Sequence, residues 1–581
     1  MIKEIFKYFK YRIDRMLNKG LFYQLMLLVC VIIIILLIVS AFIILVFNYP
    51  IKDAFWDSLM QFIDTGNISS VDGSFGLVIT FLMVTFIGVC GWGSLIAMIN
   101  KALQDRINNL SKGNAFIMEK GHSIILGYGE EALTIIEEFL IAKIKNIVLL
   151  SEHNVDIIRK RVSFIKGYRK SNIIIREGST SRIENIKLLN IKKCSSISII
   201  NNDDTESLNI LLALKKILNE ERDGSNDEKI NICLLVHNED TIEIIKSMED
   251  ENFTVHILYK YELLYKLISQ SIIYTGLSSV YEDLFSNDGN DFKIESNHNF
   301  EDDIFEEAAL KYMNKGIILV GIIENDMEFL KVPDSKYVIK KNDKLVTLYK
   351  NNDKNDIITV NKNDKYNNNN IIHNILLISE EKNNNDVVRE IKEYIENANL
   401  ESLSYDAIKM HKNKYQFLLE KIKSSNITKI VLISEDSITD AKSINILLII
   451  RQIIKKENIQ LSILSLLDSI QKRNLIYSDD VRDFIVSGKL IGMLMAQASI
   501  DYNILYLFYG LLSKNGKDII ISSYSKYFNE NKTFKDAYFD LLDRGIIIIG
   551  IKRYDDILLN PTQDFLLDSK DEIIIIITSY I

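Results

Sequence analysis

Two long uncharged apolar runs lie close together near the start of the chain, and a short acidic segment separates them. Leu21 to Ile51 and Gly73 to Asn100 contain no charged residue. About 20 helical residues cross a hydrocarbon core of roughly 30 Å. Residues 25–47 and 75–100 therefore read as two membrane spans. The first run is too long for the apolar part of a signal peptide, about 7–15 residues, and no small-residue cleavage site follows it. Basic residues crowd before the first run (Lys3, Lys7, Lys10, Arg12, Arg15, Lys19) and after the second (Lys101, Arg106, Lys112, Lys120). Between the runs lie Lys52 and four aspartates, Asp53, Asp57, Asp64 and Asp72. Basic flanks stay cytoplasmic. The expectation is a multi-pass protein of the plasma membrane, with both termini cytoplasmic and the acidic loop outside.

The acidic segment is itself informative. Asp53 to Ile63 is long enough for a helix that enters the bilayer without crossing it, and Pro50 suits its start. Irregular backbone at membrane depth survives only inside protein or against water. Asp64, Thr65, Gly66 and Asn67 then supply what a selectivity filter needs: a carboxylate, oxygen ligands and a glycine free in backbone angle. The alternative is a plain extracellular loop capped by Asp64. In the second span, Gly73, Gly76, Gly88, Gly91 and Gly93 suit close helix packing; Gly91 and Gly93 also suit a gating hinge.

About 480 residues follow Lys101, room for two to four domains. The net charge of −9 argues against a nucleic-acid partner. Cys30, Cys90, Cys194 and Cys233 are scattered, without the paired spacing of a metal site. The seven histidines show no metal-binding spacing either. No residue pattern for catalysis stands out, so the chain does not read as an enzyme. Short β-branched runs at Ser123–Leu126, Asn146–Leu150, Asn172–Ile175, Ser196–Ile200 and Asn231–Val236 alternate with amphipathic helices. Continuous apolar strands between helices imply a parallel sheet covered on both faces, a doubly wound fold. The chain then repeats itself at an offset of about 230 residues. Ser207–Leu212 returns as Ser443–Leu448, Leu284–Asp291 as Leu511–Asp518, and Gly316–Ile322 as Gly545–Ile551. Two of the three prolines, Pro333 and Pro561, fall at nearly matching places. An Asn-rich stretch between the copies is too polar to bury and reads as a linker.

Several residues suit ligands. Gly127-Tyr-Gly129 follows the first strand and opens a helix, with Ala132 where a third glycine would stand. Glu152 ends the next strand, where an acid can hold ribose hydroxyls. Arg176 and Gly178 close the third. Glycine-rich turns at helix starts suit phosphate, although Glu130 and Glu131 oppose it. A scaffold kept only for assembly, a nucleotide site, and a divalent cation (calcium) held by Asp203 and Asp204 or by Glu282 and Asp283 all remain open.

The segment Phe62-Ile-Asp-Thr-Gly-Asn67, the following helix and the run Ile107–Gly127 resemble the CASTOR/POLLUX ion-channel family. Its Asp, Gly and Asn filter positions match Asp64, Gly66 and Asn67, while Thr65 and Ile63 depart. Gly276, Leu277, Glu282 and Asp283 match a further family stretch, from which Thr275 and Tyr281 depart. The duplicated part resembles tandem RCK domains, regulators of potassium conductance. The resemblance implies a homotetramer in a lipid bilayer, passing potassium or calcium. It implies a cytosolic ring driven by a ligand such as calcium or a nucleotide. A membrane-anchored nucleotide-binding regulator of a cation transporter is the alternative. The expected fold is an α-helical pore module followed by α/β tandem Rossmann-like RCK domains, each with a small β-rich C-terminal lobe. The expected boundaries are a basic N-terminus at 1–20 and the pore module at 21–104, with pore helix and filter at 53–67. A linker at 105–121 leads to the first Rossmann-like domain at 122–260 and its helical connection and lobe at 261–350. The Asn-rich linker at 351–373 leads to the second Rossmann-like domain at 374–485 and its lobe at 486–581.

Overall fold

The computed structural model describes residues 21–64, 73–111, 116–221, 229–296, 300–324, 330–350, 358–359, 374–380, 384–395, 398–434, 436–476, 483–513, 516–553 and 556–578. The chain divides into two units, Met1–Asn114 and Ala115–Ile581.

The first unit is built of three helices: α1 (Leu21–Phe47), α2 (Ile51–Ile63) and α3 (Phe75–Ser111). The 27 residues of α1 and the 37 of α3 make rods of roughly 40 and 55 Å at 1.5 Å per residue, each longer than a hydrocarbon core. The 13 residues of α2 reach only about 20 Å and cannot cross. Both long helices expose large apolar side chains, among them Ile34, Leu37 and Ile38 on α1 and Leu82, Met83 and Phe86 on α3. Such faces suit lipid and neighbouring helices, and the protein is a membrane protein. The expected short helix extends two residues further back than Asp53, starting directly after Pro50. The second helix continues to Ser111, past the apolar stretch Phe75–Gln104 that could cross a membrane.

The second unit holds two copies of one plan. In the first copy, β1 (Ser123–Leu126), α4 (Glu130–Ile141), β2 (Asn146–Ser151), α5 (Val155–Val162), β3 (Asn172–Glu177), α6 (Ile183–Lys187), β4 (Ser196–Ile199), α7 (Asp204–Glu221), β5 (Ile230–Val236), α8 (Asp240–Lys246) and β6 (Phe253–Tyr259) alternate. Their parallel sheet has the order β3-β2-β1-β4-β5-β6, the dinucleotide-type arrangement. The helices α9 (Lys260–Ile273) and α10 (Leu277–Phe285) lead to an antiparallel lobe of β7 (Asn290–Ser296), α11 (Phe305–Met313), β8 (Ile318–Ile323) and β9 (Lys344–Lys350).

A short strand, β10 (Ile358–Thr359), opens the second copy but pairs far ahead, with Asp556 and Ile557 of its final lobe. The second parallel sheet comes from β11 (Asn374–Ser379), α12 (Asn384–Tyr394), β12 (Asn399–Ser404), α13 (Tyr405–Met410), α14 (Lys414–Ser424), β13 (Lys429–Ile433), α15 (Ser437–Glu457), β14 (Ser462–Leu467), α16 (Ile470–Ile476) and β15 (Asp483–Val486). Its order is β12-β11-β13-β14-β15. Two helices occupy the stretch where the first copy has β3, so this sheet is one strand narrower. Next come α17 (Ser487–Ile500), α18 (Asn503–Leu511), β16 (Lys517–Ser523), β17 (Lys532–Thr533), α19 (Phe534–Leu542), β18 (Ile547–Arg553), β19 (Asp556–Leu559), β20 (Leu566–Leu567) and β21 (Glu572–Thr578). The two lobes even share an irregularity. The pairing register shifts at Leu319/Gly321 in one and at Ile548/Gly550 in the other.

One apolar core runs through both copies, from Ile125 to Ile576, joining the inner faces of the two sheets, the four connecting helices and the lobes. Two smaller cores cover the outer faces, around Ile197 and Leu214 in the first copy and Leu432 and Leu447 in the second. Every residue of β1 is buried, as a parallel strand covered on both faces requires.

Candidate pore and paired RCK domains

In the membrane unit, α2 is wedged between α1 and α3. Ala54, Ser58, Gln61 and Phe62 form its buried face. The Thr85 hydroxyl on α3 donates to Gln61 Oε1 at 3.1 Å. The Tyr49 hydroxyl, just before α2, donates to Asp57 Oδ2 at 2.8 Å. Two glycines of α3 shape the fit. A Cβ at Gly88 would sit 2.3 Å from the Phe62 carbonyl oxygen, and one at Gly91 would sit 3.0 Å from the Phe62 ring. Those positions are a notch for the end of α2. Gly93 meets nothing within 4 Å, and α3 is one unbroken helix through both glycines. Asp64 follows α2 directly, exposed, its N–H donating to the Met60 carbonyl at 2.8 Å. Thr65, Gly66 and Asn67 lie outside the described residues.

In the second unit, the glycine turn after β1 is tightly built. Gly127 has φ +111°, and a Cβ there would lie 1.7 Å from the Ile200 carbonyl oxygen, so only glycine fits. Gly129 precedes α4. The first turn of α4 is not free for phosphate. Glu130 pairs with Arg161 at 2.6 Å, and Glu131 pairs with Lys260 at 3.5 Å in a buried contact. Helix α17 of the second copy lies on α4. A Cβ at Gly488 would be 2.9 Å from that of Glu130, and one at Gly492 would be 2.8 Å from the Glu131 carbonyl oxygen. Glu152 is exposed beyond β2, while Gly178 donates its N–H to Ser151 O at 2.9 Å. Arg176 is buried, and among the described residues its Nε has no hydrogen-bond partner. Burial lowers its pKa from the usual guanidinium value.

The four candidate metal carboxylates each have partners within the fold. Asp203 accepts from Thr205 N at 2.9 Å at the start of α7. Asp204 accepts from His237 N at 3.0 Å, Asn238 N at 2.7 Å and the Thr241 hydroxyl at 3.3 Å. Burial acts to raise its pKa, but the bonds from His237 and Asn238 outweigh this and hold it below the carboxylate norm. Asp440 repeats the device in the second copy, accepting from Asp468 N at 2.9 Å and Ser469 N at 3.3 Å. Each acid clamps the start of a helix to the end of the next strand. Glu282 is paired with Lys489 and, at 3.3 Å, with Arg473, both from the second copy. Burial opposes its ionisation, but these two cations prevail and its pKa lies below normal. Asp283 accepts from Asn290 Nδ2 at 2.8 Å. Among the described residues no group of three or more His, Cys, Asp or Glu could hold a metal ion.

Sequence reading overlooked the joint between the copies. Gln270 Nε2 donates to Leu511 O at 3.3 Å and to Asp518 Oδ1 at 3.2 Å. Gln497 Nε2 donates to Leu284 O at 3.3 Å and to Asp291 Oδ1 at 3.4 Å. All three pairs of equivalents, Gln270/Gln497, Leu284/Leu511 and Asp291/Asp518, share one offset. The repeat at Leu284–Asp291 carried that offset, and extending it backwards would have reached the glutamines. The copies thus exchange bonds about a local pseudo-twofold axis. The match fails at one atom. The Tyr281 hydroxyl donates to Gln270 Oε1 at 2.7 Å. Its counterpart is Phe508, and Gln497 Oε1 is buried without a hydrogen-bond partner among the described residues.

Near the same joint, Glu138 on α4 is 2% exposed and accepts from Asn287 N at 2.7 Å. Burial pushes its pKa up to about 7. Asp468, beyond β14, is likewise raised by burial, to about 6.

Comparison with known proteins agrees with this architecture. A family model described as Castor and Pollux, part of voltage-gated ion channel, matches residues 261–365. The probable ion channel POLLUX of Oryza sativa subsp. japonica is 19% identical over 594 residues, covering 88% of this chain and 60% of the relative. The ion channel DMI1 of Medicago truncatula is 18% identical over 354 residues, covering 59% and 39%. The chain therefore spans between about two fifths and three fifths of these relatives' lengths. The solved human SLO3 gating ring is 14% identical with a TM-score of 0.53, covering 79% of this chain and 99% of that one. That likeness is one of fold.

Proposed function

We propose that this CASTOR/POLLUX-like chain with tandem RCK domains is the subunit of a ligand-gated cation channel. One observation carries the reading. A helix too short to cross a bilayer is packed by buried polar and aromatic contacts between two helices that are long enough, and it ends at a carboxylate. A plain extracellular loop has no need of the Gly88 notch or the Thr85–Gln61 bond. The relatives' names as ion channels and the RCK fold support the same reading.

In this proposal four copies surround a pore in the plasma membrane, with both termini cytoplasmic. Asp64, Thr65, Gly66 and Asn67 form the constriction, and the Asp64 ring concentrates potassium or calcium. Gly93, which has open space beside it, and its neighbour Gly91 are the bend points of α3. The RCK domains form a cytosolic ring that pulls on α3 through the chain joining the two. A ligand shifts that ring only by its differential affinity for two conformations. A nucleotide suits the residues better than a divalent cation. Arg176 has a buried Nε without a hydrogen-bond partner among the described residues, whereas the four acids are already engaged.

Bilayer recording of the purified chain tests the reading. Unitary cation currents are expected, and Asp64→Asn should lower cation over anion permeability several-fold. A purified protein that conducts nothing would instead be an anchored regulator, and the proposal would fall.

A further inference from the structure

The first Rossmann domain carries a concentration of positive charge that its duplicate lacks. Residues 142–170 hold eight Lys and Arg against two acids, in a chain whose net charge is −9. The matching stretch of the second copy, 395–425, holds five against four. Arg159, Lys160 and Arg161 fall in the last turn of α5, where cations complement a helix C-terminus. That does not account for Lys143, Lys145, Lys166, Arg169 and Lys170, which lie outside the helix. Arg161 is paired with Glu130 and Arg159 with Asp156. Lys143, Lys145, Lys160, Lys166, Arg169 and Lys170 make no ion pair among the described residues.

The same stretch carries apolar side chains that the fold leaves outside. Val155, Ile158 and Val162 are the buried face of α5. Ile157 and Phe164 point away from it and are 61% and 81% exposed. The turn Lys166–Lys170 leads into the first residue of β3, and Asn172 N donates to Lys145 O at 2.8 Å. The basic groups of this turn and of Lys145 therefore lie at the edge where β2 and β3 begin. The same edge receives the chain from the membrane unit. Asn172 Nδ2 donates to Glu119 Oε1 at 3.1 Å, and Ile117 N donates to Leu188 O at 2.9 Å. Phe116 and Met118 beside them are exposed.

We propose that this face of the first copy, which exposes Phe164 and Ile157 together with Lys160, Lys166, Arg169 and Lys170, docks on anionic lipid headgroups of the membrane that the chain spans. Basic groups attract an anionic leaflet, and apolar side chains at the same place enter the headgroup boundary. Only the copy joined directly to the membrane helices carries the face. An acidic protein segment offers the charge but gives no reason for that restriction.

Hydrogen–deuterium exchange on the full chain, in nanodiscs of phosphatidylcholine alone or with added phosphatidylglycerol, tests the proposal. Amides of residues 155–170 should exchange about tenfold more slowly in the anionic discs, and the difference should vanish in high salt. The variant Lys160→Glu, Lys166→Glu, Arg169→Glu, Lys170→Glu should lose it, while β1 and β2 keep their protection as evidence of folding. Equal exchange in both discs would overturn the proposal.

Discussion

In the first copy, α4 buries two carboxylates, Glu131 and Glu138, beside Ile135 and Phe139; in the second, the corresponding helix α12 buries Val387 and Ile391 but, among the described residues, no carboxylate. The first sheet keeps the outer strand that carries Arg176, whereas the second replaces it with α13 and α14. Both copies nevertheless use the same core, the same lobe irregularity and the same glutamine exchange. Duplication has kept the residues that hold the copies together and changed those that carry charge. The first copy holds the buried Glu131, Glu138 and Arg176. The second supplies a surface against which α4 is held.

The inter-copy ion pairs offer the sharpest way to break this division. Glu282→Ala would leave Lys489 and Arg473 without their anion in a half-buried joint, a cost of about 3 kcal/mol. The detergent-solubilised chain should melt several degrees lower; an unchanged melt would make the joint incidental. Next in size is the pH effect of Glu138 in the first copy. Glu138 titrates near 7 when folded, against an ordinary value of 4.5. Between those values the folded chain holds a proton that the unfolded chain has released, so its contribution to stability falls as pH rises. Glu138→Gln should flatten that decline and stabilise the protein at pH 8 by about 2 kcal/mol. A melting-temperature profile with the same slope as the parent would refute this.

The glutamines should then separate the copies. Gln270→Ala removes a bonded network and leaves the Tyr281 hydroxyl only the Leu511 carbonyl, at 3.3 Å, whereas Gln497→Ala also removes an unsatisfied oxygen. Losses of about 2 and 1 kcal/mol are expected, read from denaturant midpoints. Equal losses would mean that Tyr281 makes no difference. The smallest effect should come from Phe508→Tyr, which gives Gln497 Oε1 the hydroxyl its twin already has. A gain of up to about 1 kcal/mol is expected, and a loss would show that the ring has no room to turn.

Local pattern made much of the fold readable. The starts of β1, β2, β3 and β4 fall where the apolar runs begin, because buried parallel strands need continuous apolar residues. The last strand, Phe253–Tyr259, escaped notice because Thr254 and His256 interrupt its apolar run. The length of α3 was underestimated because its last turns are polar and owe nothing to lipid. The acids at 204, 282 and 283 were legible as candidates but not in their partners. Arg473 and Lys489 lie on elements about 200 residues away, and no local spacing discloses a salt bridge closed by a duplicated domain. Gly91 was legible as a small residue. That Phe62 rests on it follows only from the packing of α2.

The crossing of α17 onto α4 has a consequence during synthesis. A ribosome adding about 5–20 residues per second needs on the order of half a minute to travel from one helix to the other. Throughout that interval the apolar flank of α4 waits beside a half-made neighbour. Newly made chains emerging together on one messenger could satisfy that flank with each other's second halves. Domain swapping, a general failure of duplicated chains, is the assembly error that this order of translation favours.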